Sequence, residues 1–179
     1  MNSFKTCSLA VVTLALGACG PAPEGKEQAP SGAELAQAEA AVTRPIPNTT
    51  CVVEATSPYT YDNVTVSAQA SVWDCDQDYP IIYICSIVEL RSVSSTGTVT
   101  WTALPGSRSC WPETNTDFGG QTANRVTYTP GSVYRQRAQA AIKLNATTWT
   151  PAQPSSCTTL ANDIPCTFTS VVSAGVTIR

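Results

Sequence analysis

Six cysteines stand after residue 50, at positions 51, 75, 85, 110, 157 and 166, and they limit the fold more than any other feature of the chain. An even set of this kind reads as three disulfides of an exported domain. Six cysteines allow fifteen pairings, and the turn signals favour one of them. Facing residues of an antiparallel hairpin have a constant number sum. Cys51 and Cys75 are symmetric about Asn63, in the turn signal Tyr61-Asp62-Asn63. Cys85 and Cys110 are symmetric about the Gly97–Thr98 boundary, and Cys157 and Cys166 straddle Ala161–Asn162. The expected bridges are therefore Cys51–Cys75, Cys85–Cys110 and Cys157–Cys166, with Cys75–Cys85 as the rival. Each should contribute about 2–4 kcal/mol by restricting the unfolded chain. Zinc is the competing use of cysteine. No two of the six have the spacing of a zinc site, and the chain has no histidine.

Between the cysteines the dominant period is two, the period of a half-buried strand. Val64, Val66, Ala68, Ala70 and Val72 fall on one face, with Thr65, Ser67, Gln69 and Ser71 on the other. Residues 81–90, Ile81 to Leu90, are apolar on both faces, as in a central strand. Val99, Trp101 and Ala103 alternate with threonines. Tyr134, Ala138, Ala140, Ile142 and Leu144 face one way, against Arg135, Arg137, Gln139 and Lys143, and Phe168, Val172, Ala174, Val176 and Ile178 form a last set. With strands near 51–57 and 125–129 the count is about seven. Turn signals at Ser95-Thr96-Gly97, Pro105-Gly106, Gly119-Gly120, Pro130-Gly131 and Asn162-Asp163 separate them. The fold class expected is all-β, a single antiparallel β-sandwich. By analogy it is immunoglobulin-like, with Pro130-Gly131 before Tyr134 as the corner into a late central strand.

The N-terminus follows the export pattern, with Lys5, an apolar core from Leu9 to Leu16, then small residues. That core is shorter than the roughly 20 residues a spanning helix needs. Leu16-Gly17-Ala18-Cys19 resembles the lipobox of bacterial lipoproteins. The resemblance covers this segment alone. It implies that Cys19 becomes the mature N-terminus and carries lipid, and that the protein is anchored to the cell envelope, with Gly20 favouring the outer membrane. The domains expected are a signal peptide (1–18), a lipidated cysteine and flexible tether (19–49), and a disulfide-stapled β domain (50–179). Within the tether, Ser31 and Glu34 have capping-box spacing ahead of a short helix over Ala33–Val42.

Losing residues 1–18 removes Lys5 alone from ten basic residues, leaving nine against thirteen acids, net −4. Nucleic-acid binding needs a basic patch, so it is not expected. Without histidine there is no Ser-His-Asp or Cys-His arrangement. Lys143 is the only lysine after residue 50 and lacks a Ser-x-x-Lys partner, and the cysteines are expected to be oxidised. No enzyme is expected, although Glu54, Glu89, Glu113 and the aspartates keep a carboxylate-based hydrolase as an alternative. Asp74, Asp76 and Asp78 alternate as at the start of a calcium loop, but Tyr79 and Cys85 stand where that loop places glycine and glutamate. Calcium there is the one cofactor to test.

Trp73, Trp101, Trp111, Trp149, Tyr59, Tyr61 and Tyr79 are candidates for an aromatic platform, and Arg135, Arg137 and Lys143 for an anion-facing strand. Asn48, Asn63 and Asn145 open sequons, read as coincidental in a bacterial lipoprotein. The function expected is a lipid-anchored, non-enzymatic binding or structural module. It would meet the membrane through its lipid, and an envelope or extracellular protein or glycan through its loops. A calcium- or carbohydrate-binding role for the Asp74–Asp78 loop and nearby aromatics is the alternative.

Overall fold

A computed structural model describes residues 41–157 and 164–179. The lipobox, Cys19, residues 19–40 of the expected tether and the Asn162-Asp163 turn lie outside them. Among the described residues there are fourteen strands and no helix. They are β1 (Val42–Pro45), β2 (Val52–Ala55), β3 (Tyr59–Thr60), β4 (Thr65–Ser67), β5 (Gln69–Trp73), β6 (Tyr79–Val93) and β7 (Val99–Ala103). After these come β8 (Ser109–Thr116), β9 (Gly119–Thr122), β10 (Val126–Thr127), β11 (Val133–Lys143), β12 (Trp149–Thr150), β13 (Thr169–Val172) and β14 (Val176–Thr177).

The expected central strand is β6, and every residue from Ile81 to Glu89 is buried. Such continuous burial requires cover on both faces of the sheet. One edge of β6 pairs with β11, from Leu90 opposite Tyr134 to Ile81 opposite Lys143. The other edge is shared by β8, over Tyr79–Ser86, and β7, over Glu89–Val93. With β12, β13 and β14 on the far side of β11, this makes a seven-stranded antiparallel sheet. The second layer holds the four-stranded sheet β1-β2-β5-β9 and the three-stranded sheet β10-β4-β3. Val53, Ala55, Ala70 and Val72 of that layer meet Ile82, Ile84, Ala138, Ala140 and Ile142 in a shared core.

All three expected disulfides are present. Cys85 lies directly opposite Cys110 on β6 and β8, although the hairpin that carries them is not regular. The β6–β7 turn closes with Gly97 at φ +83°. The chain then turns again at Leu104-Pro105-Gly106-Ser107, where the Ser107 amide donates to Leu104 O at 3.1 Å. Pro at the second position and a positive-φ Gly at the third suit a type II turn. Where β7 has ended and β8 has not begun, the buried Ser107 hydroxyl bonds both the amide and the carbonyl of Val88, each at 3.2 Å. The ladder along β6 is thus continued by a side chain.

Tyr134 forms the expected corner. Its hydroxyl accepts the Thr129 amide at 2.8 Å, across the turn at Pro130-Gly131. A tyrosine at the start of a late strand bonding back upstream is the corner device of immunoglobulin-like sandwiches.

Several expectations are corrected. Residues 64–72 are two strands rather than one, because β4 belongs to the three-stranded sheet and β5 to the four-stranded one. At this corner Ala68 O loses its strand partner. It accepts instead from the Ala123 amide at 2.9 Å and the Ser86 hydroxyl at 3.0 Å. The final set is also split. Thr169, Val171 and Ser173 are buried, then Val176 and Ile178, so the inward parity changes across Ala174-Gly175. Val42, expected to end a tether helix, opens β1, which pairs with β2 ahead of residue 50. Gly119-Gly120 is not a turn but the start of β9.

Gly119 is needed where the layers come closest, since a Cβ there would lie 2.6 Å from Ile84 Cδ1, whereas one at Gly120 would meet nothing nearer than 3.9 Å. Gly119→Ala should therefore cost about 1–3 kcal/mol as overpacking. Gly120→Ala should stay within about 0.5 kcal/mol. Denaturant unfolding of the two variants, with equal losses, would refute this packing account.

Candidate functional site

The expected binding residues separate into groups that the fold consumes and a smaller group that it leaves facing solvent. Glu89 is 2 % exposed. It is held by Arg135 Nε at 2.7 Å and Arg137 Nη2 at 2.6 Å, and the Arg135 guanidinium lies 4.3 Å from the Trp101 ring. Arg135 and Arg137 thus compensate a buried carboxylate, and the anion-facing reading of this strand is corrected. Lys143, the third member, lies over the Trp149 ring. The Glu89 cluster is structural, because an ionised carboxylate cannot be buried without compensation. Glu89→Gln should lower stability by about 3 kcal/mol, read as a drop in melting temperature larger than that of Arg137→Ala. An unchanged melting temperature would exclude this role.

Two of the glutamates expected for hydrolysis, Glu89 and Glu113, are far apart. Glu113 is opposite Ile82 on the β6–β8 ladder, and Glu89 is seven residues further along β6, at about 3.3 Å each. Roughly 20 Å is far beyond the spacing of an acid pair in a glycosidase, about 5–10 Å. Glu54 lies on the other sheet and accepts the Trp73 indole N–H at 2.7 Å.

Asp74, Asp76 and Asp78 are exposed and do not share a strand face. β5 ends at Trp73, Asp74 takes φ +60°, and Cys75 is drawn to Cys51. Alternation therefore breaks at the position where the calcium-loop reading begins. Among the described residues no three His, Cys, Asp or Glu side chains gather as a metal-holding group. Asp76 Oδ1 instead accepts the Tyr79 hydroxyl at 3.2 Å.

The platform aromatics do not form one surface. Tyr79 and Trp149 are core residues, Trp101 covers Arg135, and the exposed Tyr61 is capped by Arg125 at 3.3 Å. Trp73 at 43 %, Trp111 at 60 % and Phe118 at 65 % remain exposed. Phe118 was not among the expected residues.

The registers bring Trp73 and Phe118 to one end of the sandwich. Val72 is opposite Gly119 on β5 and β9, so the residues that adjoin them, Trp73 and Phe118, sit at the same end of neighbouring strands. Tyr79 is opposite Thr116 on β6 and β8. The β5–β6 connection, residues 74–78, therefore crosses between the layers beside the β8–β9 connection at 117–118. Val52 is opposite Trp73, which adds the β1–β2 turn and the Cys51–Cys75 bridge. The segments 46–54, 73–79 and 115–119 carry Glu54, Asp74, Asp76, Asp78 and Asp117, and no lysine or arginine. No arginine pairs with any of these five among the described residues.

A separate groove of about 250 Å³ lies where β1 meets β13, lined by Arg44, three prolines and Phe168. Its one cationic group, Arg44, already donates to Ser170 O at 2.9 Å. No protein-family model matches the chain, and no curated protein or solved structure matches it either.

At the opposite turn, Asp62 sits below the ordinary aspartate range. The Thr65 hydroxyl and then the Thr65 and Val64 amides bond its carboxylate, and Arg125 adds a favourable charge. A carboxylate lowered in the folded state stabilises it above the unfolded value near 3.8 and loses that contribution as pH falls through the folded value. The stability difference between wild type and Asp62→Asn should be constant at neutral pH and shrink below about pH 4. Thermal unfolding across that range checks it; a difference independent of pH would show that ionisation is irrelevant there.

Proposed function

We propose that this chain is a lipid-anchored, non-enzymatic binding module of the bacterial cell envelope, meeting its partner at the Trp73–Phe118 end of the sandwich. The observation that carries the reading is the exposure of two aromatic rings at adjoining strand ends, beside a disulfide and without the cations that cap Tyr61 and Trp101. Exposed aromatics held rigidly lose little entropy on binding, which is why such residues dominate contact surfaces. The lipobox resemblance of Leu16 to Cys19 supports the anchor. Three disulfides fit an oxidising compartment.

The Trp73–Glu54 hydrogen bond adds to this, because it fixes the indole before any partner arrives. A ring whose N–H is already satisfied offers its π face and edge, so recognition there is through stacking and charge.

Two measurements test the reading. In cells, Cys19→Ala should abolish labelling by an alkynyl fatty acid and release the protein from the membrane fraction. An unlabelled wild-type protein would remove the anchor. In vitro, the unlipidated Cys19→Ala chain should be retained on isolated envelopes, and Trp73→Ala with Phe118→Ala should reduce that retention about tenfold while leaving the melting temperature within a few degrees. Undiminished retention by the double variant would move the binding surface elsewhere.

A further inference from the structure

The partner's chemistry is legible from how the protein treats its own aromatic rings. Arg135 lies 4.3 Å over Trp101 while its Nε pairs with Glu89 at 2.7 Å. Arg125 lies 3.3 Å over Tyr61, next to Asp62, whose carboxylate feels its charge. At Arg135 the guanidinium is held between an aromatic face and a carboxylate, so that cation–π attraction and ion pairing act together. Arg125 stacks on Tyr61 and lends Asp62 a favourable charge without an ion pair among the described residues. At the Trp73–Phe118 end the aromatic and acidic halves are present. Trp73 is bonded to Glu54, Asp74 follows it, and Asp117 precedes Phe118. The segments that build this end contain no cation. Glu54 Oε1 takes no hydrogen bond among the described residues, the Trp73 indole being bound to Oε2.

We propose that the Trp73–Phe118 end of the sandwich docks an arginine- or lysine-rich polypeptide segment, whose cations stack on the two exposed rings and pair with the surrounding carboxylates. Charge complementarity selects the class. Five carboxylates with no intervening base repel an anionic polymer and add nothing to a neutral glycan, whereas they attract and orient a cationic chain. Their spread favours a polypeptide over a single cation: Glu54 is on β2, Asp74–Asp78 on the β5–β6 connection and Asp117 on the β8–β9 connection. Several separated cations on a flexible chain can reach all three.

This rests on the proposed binding role for the same end, and the experiment separates the two. Isothermal titration of the full chain carrying Cys19→Ala uses a short alternating Arg-Ser peptide, with a Glu-Ser peptide, chitosan oligomers and chitin oligomers in parallel. The Arg-Ser peptide should bind, with affinity falling as salt rises, and the Glu-Ser peptide and chitin should not. Trp73→Ala with Phe118→Ala should weaken it about tenfold, consistent with two exposed cation–π contacts. Asp74→Asn, Asp76→Asn, Asp78→Asn and Asp117→Asn together should flatten the salt dependence, and Trp111→Ala, at an exposed ring elsewhere on β8, should change nothing. If Trp73→Ala fails to fold, Trp73→Leu keeps apolar bulk without the indole and should weaken binding in the same direction.

Absence of binding at millimolar Arg-Ser peptide, or binding untouched by the aromatic substitutions, overturns the proposal. Tighter binding of chitosan than of peptide overturns it in favour of an amino-sugar ligand. If the aromatic double variant loses envelope retention while no basic peptide binds, the cationic assignment fails and the binding role stands.

Discussion

Burial of β6 on both faces is the constraint to which the other strands respond. From Ile81 to Glu89 every residue is buried, so each face needs a cover. The inner face, with Ile82 and Ile84, packs on the four-stranded sheet, and small residues on both layers, Ala55 and Ala70 on one and Ala138 and Ala140 on the other, keep the layers close. The outer face, with Ile81, Tyr83 and Cys85, is covered by Trp149, Phe168 and Cys110. Cover of the outer face is not continuous in chemistry. At its far end stands Glu89, which no apolar side chain can satisfy. Arg135, Arg137 and Trp101 are the solution, two charges and a ring closing over one carboxylate.

Strand corners inside the sandwich impose the second requirement, that backbone groups leaving a ladder find another partner in a dry interior. Four buried hydroxyls and one amide meet it. Ser86 and the Ala123 amide take Ala68 O, Ser67 donates to Ala123 O at 2.7 Å, and Gln136 Nε2 reaches Ser86 at 2.6 Å. Ser173 Oγ accepts the Gln136 amide, and Ser107 bridges the gap in the β6 ladder. The serine-rich composition is therefore not only a solvated surface. Part of it replaces backbone hydrogen bonds where strands change sheet.

This explains which features could be seen in the residues alone. β6 and the buried parity of β11 were legible because their burial follows apolar identity, whereas β7 was legible from its alternation alone, its residues being exposed or half-buried. The Cys51–Cys75 and Cys85–Cys110 bridges were legible because turns lie near the midpoints of those pairs. The midpoint argument also tolerates irregularity: β7 and β8 differ in register along β6, yet Cys85 still faces Cys110. β8 was illegible, since Ser109 to Thr116 is polar and carries Pro112, a pattern permitted only at an edge. β9 opens with two glycines that read as a turn until the closeness of the layers is known. Gln136 is polar on a strand face that is otherwise core. Its identity points outward and its parity inward, and only the position of Ser86 decides. Phe118 carries no local signal beyond being a lone ring between Asp117 and Gly119.

The same register logic shows why the candidate surface lies at this end and not over a sheet face. A binding ring must be exposed without being mobile, and the middle of either sheet offers little room for one. The inner faces are filled and the outer face of β6 is covered. At the strand ends the chain crosses between layers twice in neighbouring positions, at 74–78 and 117–118. Each crossing leaves residues that belong to neither core, and the Cys51–Cys75 bridge ties the first crossing to the β1–β2 turn. Trp73 is the last residue of β5 and is further held by Glu54, while the Thr116 hydroxyl bonds both the amide and the carbonyl of Phe118. Exposure here comes from topology and rigidity from local bonds. The two rings are placed by the strand end and the connection that carry them before any ligand is present, and the cost of ordering these backbone positions is already met in folding.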